Sequence, residues 1–457
     1  MSKKERQENF IKQPELTESA KEAILQKSFI LGEWPEEKWW EVFHSQELSL
    51  LIETALNKNP TIQAIEQRVC FAKQEAIVKG GKLFPLISFD AKDSIGWFSK
   101  WGLYRTLNPN IPTNGNDIDL GISFSYEFDF WNQYKNIYKA AKFRAQSDYA
   151  QSKEVELIIS TSLAQAYFAL KTNLTRKVLY QQLALVRKKY YTLQVLLNKK
   201  ALLSKIAPTV SKESYLAAEK FVSQIDQEIA VVKHLINILR GAGPDEPLAI
   251  DEDQTDFTYN ITIPKTLNLD LIARRPDLMA MILKTEALAC DVGVAIADFY
   301  PNIDLKAFAG FESLIPQYLF NRQSQSYSLT PALHLPIYTA GAIQANIRGK
   351  KALYNQAVFE YNALLLKSTQ EVSDILSILE DVFQKREFQE SIVDQAQLRH
   401  KIVTHNYTKG LDNLLQVYET EEQVIVQSLE NIALIYAQFA SAIKLIKALG
   451  GGYNAVE

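Results

Sequence analysis

Residue types that could perform catalysis or bind a metal are scattered along the 457-residue chain. The two cysteines, Cys70 and Cys290, match neither the spacing of a zinc site nor a disulfide framework. The nearest two of the five histidines, His400 and His405, are five residues apart and so do not share a helical face. The sequence has no glycine-rich nucleotide loop and no nucleophile elbow. We therefore expect neither an enzyme nor a site for a metal or cofactor.

A dense group of carboxylates lies at residues 251–256. It imitates the start of a calcium-binding loop, but Asp256 stands at the sixth position, where such a loop needs Gly. Thr262 stands at the twelfth position, where the loop needs Glu. We interpret this run as an acidic linker.

Charge and composition restrict the class of function. The 50 basic and 53 acidic residues give a net charge of −3, whereas a nucleic-acid binder would show a basic excess. The chain is 47% hydrophobic with only 17 Gly and 15 Pro, which predicts a folded and largely helical protein. The first 30 residues are too rich in charge to predict a secretory signal peptide. No run approaches the roughly 20 consecutive apolar residues of a membrane-spanning helix.

The sequence contains two copies of one pattern, offset by 216 residues. The matched pairs are Asn59/Arg275, Pro60/Pro276, Pro85/Pro301, Leu56/Ile272, Ala64/Ala280 and Phe89/Leu305. A constant offset at several positions indicates an internal duplication. The expected segments are an N-terminal extended segment at 1–46, a first repeat at 47–244, a linker at 245–265, a second repeat at 266–452 and a tail at 453–457.

Each copy predicts a helix, two strands, a very long helix and a further helix. Residues 132–206 and 350–409 contain neither Gly nor Pro, and apolar residues recur there at helical spacing. A helix of roughly 70 residues is a rod on the order of 100 Å, which must lie in a coiled coil or a barrel of helices. Shorter helices are expected at 47–82 and 210–239, where they would stack end to end beside the long one.

The segments between the helices alternate between apolar and polar residues. Residues 117–130 and 326–337 do so over a length that can cross a bilayer, and shorter runs follow Pro85 and Pro301. A soluble sheet would alternate too, although its strands are typically only about 5 or 6 residues long. Because the four strands occupy duplicated positions beside very long helices, we interpret them as membrane strands. The residues expected to face lipid are Ile118, Leu120, Ile122, Phe124, Leu329, Leu333 and Leu335.

Four strands cannot close a barrel, because about eight are needed to surround even a packed interior. An open edge in lipid would leave backbone groups unpaired at a cost of several kcal/mol each. Three copies would supply about twelve strands around a water-filled pore. The predicted fold class is therefore mainly α with a transmembrane β part, in which a duplicated protomer contributes long coiled-coil helices to an α-barrel and four strands to a trimeric 12-stranded β-barrel.

Six stretches of the chain carry a resemblance to a known family. They are residues 39–43, 126–131, 274–277, 299–303, 407–415 and 447–453, and they span nearly the whole chain. In order and spacing they resemble the outer membrane efflux proteins, which are TolC-like, especially the branch that serves resistance-nodulation-division pumps. The resemblance implies a homotrimer in the outer membrane, whose α-barrel extends into the periplasm. Its implied partners are a periplasmic adaptor, an inner-membrane pump and outer membrane lipid, with no nucleic acid.

The resemblance also implies a gate at the periplasmic mouth. Glu419 matches the family's acidic ring, where Asp is more usual, and Leu415 matches its hydrophobic ring. Three carboxylates around the axis would attract cations, and three Leu side chains would exclude water. A solvated acid on a helix surface is the alternative interpretation of Glu419.

Tyr407, Gly410 and Asp412 match the helix turn at which family members are thought to meet the adaptor. The corresponding turn in the first copy, near Lys205, lacks the Gly. Packing of Tyr407 as an ordinary aromatic residue is the alternative. We expect an outer-membrane exit channel of a tripartite efflux or secretion system, and the alternative is a soluble or periplasmic elongated coiled-coil scaffold. The residues do not distinguish small toxic compounds from exported proteins as cargo.

Overall fold

The computed structural model describes residues 10–11, 30–32, 35–97, 99–101, 106–110, 113–251, 262–264 and 274–454. These residues form seven α-helices and six strands. In chain order they are β1 (Ile30–Gly32), α1 (Gln46–Lys58), α2 (Pro60–Gly81), β2 (Leu86–Trp97), β3 (Asn114–Glu127), α3 (Gln133–Lys199), α4 (Ile206–Leu239), β4 (Thr262–Pro264), α5 (Pro276–Ala297), β5 (Asn302–Ser313), β6 (Gln325–His334), α6 (Ala342–Thr408) and α7 (Leu414–Ala448).

The two halves of the chain repeat the same order of elements. The order α2, β2, β3, α3, α4 recurs as α5, β5, β6, α6, α7. Both α2 and α5 have 22 residues, and both α3 and α6 have 67. The last helices, α4 and α7, have 34 and 35. Of the linker expected at 245–265, the structure describes residues up to Asp251 and β4, which pairs in parallel with β1. The rest of the acidic run at 251–256 lies outside the described residues.

The helix expected at 47–82 is interrupted at Asn59, so that prediction was wrong in detail. Asn59 has an extended backbone, with φ −67° and ψ 122°, because the residue before a proline avoids the helical region. Pro60 then begins α2, a position that needs no backbone donor. The Asn59 side chain accepts a hydrogen bond from the backbone N–H of Thr61 at 2.8 Å and so caps the new helix.

The chain divides into two compact units. One contains residues 68–148 and 281–360, with the four strands β2, β3, β5 and β6. The other contains the described residues of 11–67, 149–280 and 361–457. We call them the sheet unit and the helical unit.

In the helical unit, the last helix of each half is hydrogen-bonded to the residue that precedes a helix-starting Pro. The Asn59 side-chain amide donates to the last carbonyl of α4, Leu239 O, at 2.8 Å. At the equivalent place the Arg275 guanidinium donates to the last carbonyl of α7, Ala448 O, at 2.9 Å. Each contact therefore satisfies a helix-end carbonyl that would otherwise lack a partner.

A glycine is needed shortly after the end of each of these two helices. Gly241 and Gly450 both have positive φ, of 79° and 95°. A Cβ at Gly241 would collide with the backbone of Lys58, and one at Gly450 would collide with the backbone of Arg274. Glycine thus lets the end of each half approach the helix break closely.

The main core of the helical unit is aromatic. A 3-10 turn at Trp39–Phe43 buries three of its side chains, and Trp39 is only 2% exposed. Phe43 packs on Phe168 with ring centroids 5.0 Å apart, and Phe168 stacks on Phe439 at 4.2 Å. Residues near the N-terminus, in α3 and in α7 therefore share one apolar cluster.

In the described part of the chain, α7 is the one helix that is long and apolar enough, by length and composition, to cross a membrane. Part of its apolar surface nevertheless packs in this core, through Ile435, Phe439 and Ile443.

The sheet unit contains an antiparallel sheet in the order β2-β3-β5-β6. The second and fourth strands start and end slightly earlier than the alternation predicted, at Asn114–Glu127 and Gln325–His334. Asp129 ends the first of these runs, since its carboxylate accepts from the backbone N–H groups of Tyr134 and Lys135 at the start of α3. Pro336, which has no backbone donor, follows the end of β6.

Glu154 lies among the charges around Arg275 in the helical unit. The Arg275 guanidinium donates to Asp277 at 2.8 Å and to Glu371 at 3.0 Å. Burial and then the Asp277 carboxylate raise the pKa of Glu154 to about 7, against the opposing effects of Arg275 and Lys447. The folded chain therefore prefers protonated Glu154.

This raised pKa predicts a pH dependence of stability. The contribution of Glu154 to the free energy of unfolding is fully present below its ordinary pKa of 4.5 and is lost as pH rises through about 7. The Glu154→Gln variant should not show this pH-dependent decrease in the free energy of unfolding, which in the parent is on the order of 1–3 kcal/mol between these two pH values. Thermal unfolding at pH 4.5, 6 and 8 measures the difference. Equal pH profiles for the variant and the parent would contradict the assignment.

Candidate functional site

The register of the sheet places apolar side chains of all four strands on one face. Ile122 is paired with Phe89 of β2 and with Ala309 of β5. On β6, Leu329 is paired with Ala307. Because side chains alternate along each strand, the same face carries the other expected lipid-facing strand residues. They are Ile118, Leu120, Phe124 and Leu333.

Large side chains on this face are strongly exposed in the single chain. Phe89 and Leu329 are 69% and 70% exposed, and Ile122 is 55% exposed. Leu335, also expected to face lipid as a strand residue, lies one position beyond the end of β6. An apolar face of this extent is typical of a membrane or protein contact surface.

The opposite face of the sheet is polar and carries acidic groups. Asp119 and Glu312 are directly paired across β3 and β5, and Asp117 lies two residues away on the same face. Their carboxylate oxygens lie within 4.8 Å of one another. Carboxylates so close together make this face attractive to cations.

The two outer strands of the sheet leave backbone groups available for pairing. In the described part of the chain, β2 pairs only with β3, and β6 pairs only with β5. An apolar face and two open edges in one sheet indicate that further copies of the chain complete it.

The α6–α7 turn contains the residues expected to meet an adaptor. Gly410 has φ +72°, and the backbone N–H of Leu411 donates to Asn406 O at 3.0 Å, which closes the end of α6. Tyr407 is 41% exposed. Asp412 is half-buried. Asn413 begins α7, since its side chain accepts from the backbone N–H of Gln416 at 2.9 Å.

The first half has the same turn, but a non-glycine residue occupies the left-handed position. Ala201 has φ +55°, and the backbone N–H of Leu202 donates to Leu197 O at 3.0 Å. The equivalent of Gly410 is therefore Ala201, a few residues before the region near Lys205 that the sequence indicated. A side chain in the left-handed region costs roughly 1–2 kcal/mol.

The expected gate residues lie one turn apart at the start of α7. Leu415 is half-buried and Glu419 is exposed. The hydroxyl of Tyr190, on α3, donates to the Glu419 carboxylate at 2.9 Å. Burial and then this carboxylate raise the pKa of Tyr190 to about 12, so the hydroxyl stays protonated at neutral pH.

A second contact between α3 and α7 was missed from the sequence. The Arg187 guanidinium donates to the Glu422 carboxylate at 2.8 Å and to the backbone carbonyl of Ser214 on α4 at 3.1 Å. The matched spacing was a usable signal, because Arg187 and Tyr190 are three residues apart, as are Glu419 and Glu422. Two acidic groups of α7 are thus held by two donors of α3.

Comparison with known proteins agrees with this architecture. A sequence profile of outer membrane efflux proteins matches residues 51–196 and 269–451. The multidrug resistance outer membrane protein MdtP of Escherichia coli K12 is 26% identical over 444 residues, covering 92% of this chain and 88% of that protein. The outer membrane protein VceC of Vibrio cholerae is 27% identical with a TM-score of 0.81, covering 92% of this chain and 100% of the other.

A further solved structure supports the fold at lower identity. The CmeC outer membrane channel of Campylobacter jejuni has a TM-score of 0.86 at 19% identity, covering 98% of this chain and 95% of the other. The fold and the sheet thus define a TolC-like channel with a helical barrel and a β part, as predicted. The chain belongs to the outer membrane efflux protein family. It is an outer membrane channel protein that extends into the periplasm, and not an enzyme. The scaffold alternative finds no support in these comparisons.

The two helix turns predict opposite effects of exchanging Gly and Ala. Replacing Gly410→Ala should lower the free energy of unfolding by about 1 kcal/mol, because no neighbouring atom would clash and only the left-handed backbone is penalised. Replacing Ala201→Gly should relieve the same penalty and raise stability by a few tenths of a kcal/mol, since Gly also gains freedom when unfolded. The temperature at which assemblies dissociate on gels ranks both variants against the parent. Changes of the same sign would contradict the assigned backbone conformations.

Proposed function

We propose that three copies of this chain form the exit channel of a tripartite efflux system, with a periplasmic adaptor and an inner-membrane pump of the resistance-nodulation-division class. The apolar face of the four-stranded sheet carries this proposal, since it must meet lipid and its two open edges must meet other copies. The names of relatives, such as the multidrug resistance protein MdtP, support small toxic compounds as the cargo.

Within this channel, Leu415 and Glu419 are proposed to form the periplasmic gate. Both lie in the first turns of α7, where threefold symmetry would repeat each side chain around the axis. The contact from Tyr190 holds the Glu419 carboxylate in one place, and a fixed ring of carboxylates favours cations over anions. The half-buried Leu415 would narrow the passage one turn earlier.

The α6–α7 turn is proposed as an adaptor contact. Tyr407 and Leu411 expose much of their side chains, 41% and 73%, beside a rigid turn at Gly410. Exposed aromatic and aliphatic groups on a fixed turn are suited to packing against a partner helix.

Fractionation and bilayer recording test the channel itself. Detergent-solubilised trimers from the outer membrane that conduct ions in planar bilayers are the expected result. Recovery as an elongated protein in the aqueous fraction, without conductance, would contradict it.

Two substitutions test the gate. Replacing Glu419→Gln should reduce the preference for cations and change stability by less than about 1 kcal/mol, because an exposed carboxylate contributes little. Replacing Leu415→Ala should raise the conductance of the closed channel, since a smaller side chain leaves the constriction wet.

Glu421→Gln provides the matched control for the gate. It removes the same charge from the same helix two residues later, on a different helical face. Its selectivity should equal that of the parent in planar-bilayer recordings. Unchanged selectivity for Glu419→Gln together with unchanged conductance for Leu415→Ala would place the closure elsewhere.

A further inference from the structure

A strongly basic surface follows the membrane strands directly along the chain. Residues 132–147 contain four cations and no carboxylate, and residues 335–359 contain three cations and no carboxylate. The whole chain, in contrast, has slightly more acidic than basic residues, 53 against 50. The beginnings of α3 and α6, which follow strands of the sheet along the chain, therefore carry positive charge with no carboxylate in the same stretch of sequence.

We propose that these helix beginnings bind the phosphate groups of anionic phospholipids in the periplasmic leaflet. We call this surface the basic collar, and it comprises Lys135, Lys139, Lys142, Arg348, Lys350 and Lys351. The proposal rests on the position of the sheet in the outer membrane and does not depend on the gate.

The α3 part of the basic collar is a stripe on one helical face. Lys135, Lys139 and Lys142 follow the spacing of four and then three residues that brings side chains to the same side. All three are exposed. Among the described residues, none of them has a carboxylate within ion-pair distance, whereas the neighbouring Arg144 is paired with Asp291. Parallel cations without counter-ions repel one another, so an external anion would stabilise the stripe.

The position of the stripe matches the interface of a membrane. Trp131 stacks on Tyr300 with ring centroids 4.4 Å apart, and its indole N–H donates to the Pro301 carbonyl at 3.0 Å. Both rings are about half exposed, at 43% and 45%. Trp and Tyr side chains with an apolar body and a polar edge are enriched where membrane strands leave the lipid.

Helix geometry sets the depth of the lysines below these rings. From Gln133, the first residue of α3, to Lys142 the rise is about 14 Å at 1.5 Å per residue. The lipid headgroup layer is roughly 5–7 Å thick, and electrostatic attraction extends about 8–10 Å beyond it at physiological salt. Lys135, Lys139 and Lys142 therefore all lie within reach of lipid phosphates.

Lipid binding to the purified full-length assembly tests the basic collar. Native mass spectrometry counts bound phosphatidylglycerol, with phosphatidylcholine as the neutral lipid. The parent should retain phosphatidylglycerol preferentially. Replacing Lys135, Lys139 and Lys142 together by Gln should weaken that retention by about fivefold for each charge removed.

Two control variants make the result specific. Replacing the same three lysines by Arg keeps the charge and should keep the lipid. Replacing Lys212, Lys220 and Lys367 by Gln removes three exposed lysines of the helical unit and should leave lipid retention unchanged. Equal retention in the parent and the collar variant, or equal loss in the helical-unit control, would overturn the proposal.

Inorganic phosphate distinguishes a lipid site from a soluble-anion site. It should not displace phosphatidylglycerol at matched concentration, because the lipid is also held by its chains. Displacement would overturn the assignment to lipid. The bilayer conductance of the collar variant should equal that of the parent. If neither protein conducted, the result would count against the channel and not against the basic collar.

Discussion

In a hydrocarbon environment, each backbone N–H or C=O without a partner costs several kcal/mol. The four-stranded sheet has an apolar face suited to that environment, yet in the described residues one side of β2 and one side of β6 lack neighbours. One chain therefore cannot satisfy its own membrane part. The closed barrel of several chains, and with it the ring of long helices, follows from this constraint on backbone pairing.

The two halves end their last helices with the same kind of hydrogen bond. Each half ends in a helix whose final carbonyl accepts a hydrogen bond from the side chain of the residue before a helix-starting proline. Asn59 does this with an amide, and Arg275 does it with a guanidinium that also binds Asp277 and Glu371. The same geometry is thus kept with a neutral group in one half and a charged network in the other. The charged version brings Glu154 close to other acidic groups and makes its protonation matter for stability.

The start of α7 combines an exposed acid with a fixed partner. Glu419 is exposed, but the Tyr190 hydroxyl binds its carboxylate, and Arg187 binds Glu422 one turn further on. The Arg187–Glu422 ion pair is partly buried, whereas the contact of Tyr190 with Glu419 is exposed. Both contacts limit where the acidic groups can move. Any movement of α7 away from α3 must break both, which couples the position of the helix to the position of the charge.

Periodicity and composition alone determined much of this protein. The alternation of apolar and polar residues predicted four membrane strands, because a strand exposes successive side chains to opposite faces. The absence of Gly and Pro predicted the long helices, and the constant offset of matched residues predicted two similar halves. These are local properties, and each is set by residues close together in the sequence. The resemblance to a known family supplied Leu415 and Glu419, whose role remains a prediction.

Only the tertiary structure decided which distant residues meet. The break at Asn59 follows from the proline after it, but the contact of Tyr190 with Glu419 joins residues 229 positions apart, and matched spacing alone does not establish such a contact. The left-handed backbone at Ala201 is likewise seen only in the structure. Ala was not expected in a left-handed turn, because its Cβ disfavours that conformation unless the surrounding helices impose it. The ends of β3 and β6 were also misplaced by several residues, since Asp129 and Pro336 compete with an alternation that continues past them. Where a strand stops is settled by which backbone groups find partners, and that is a property of the assembled sheet.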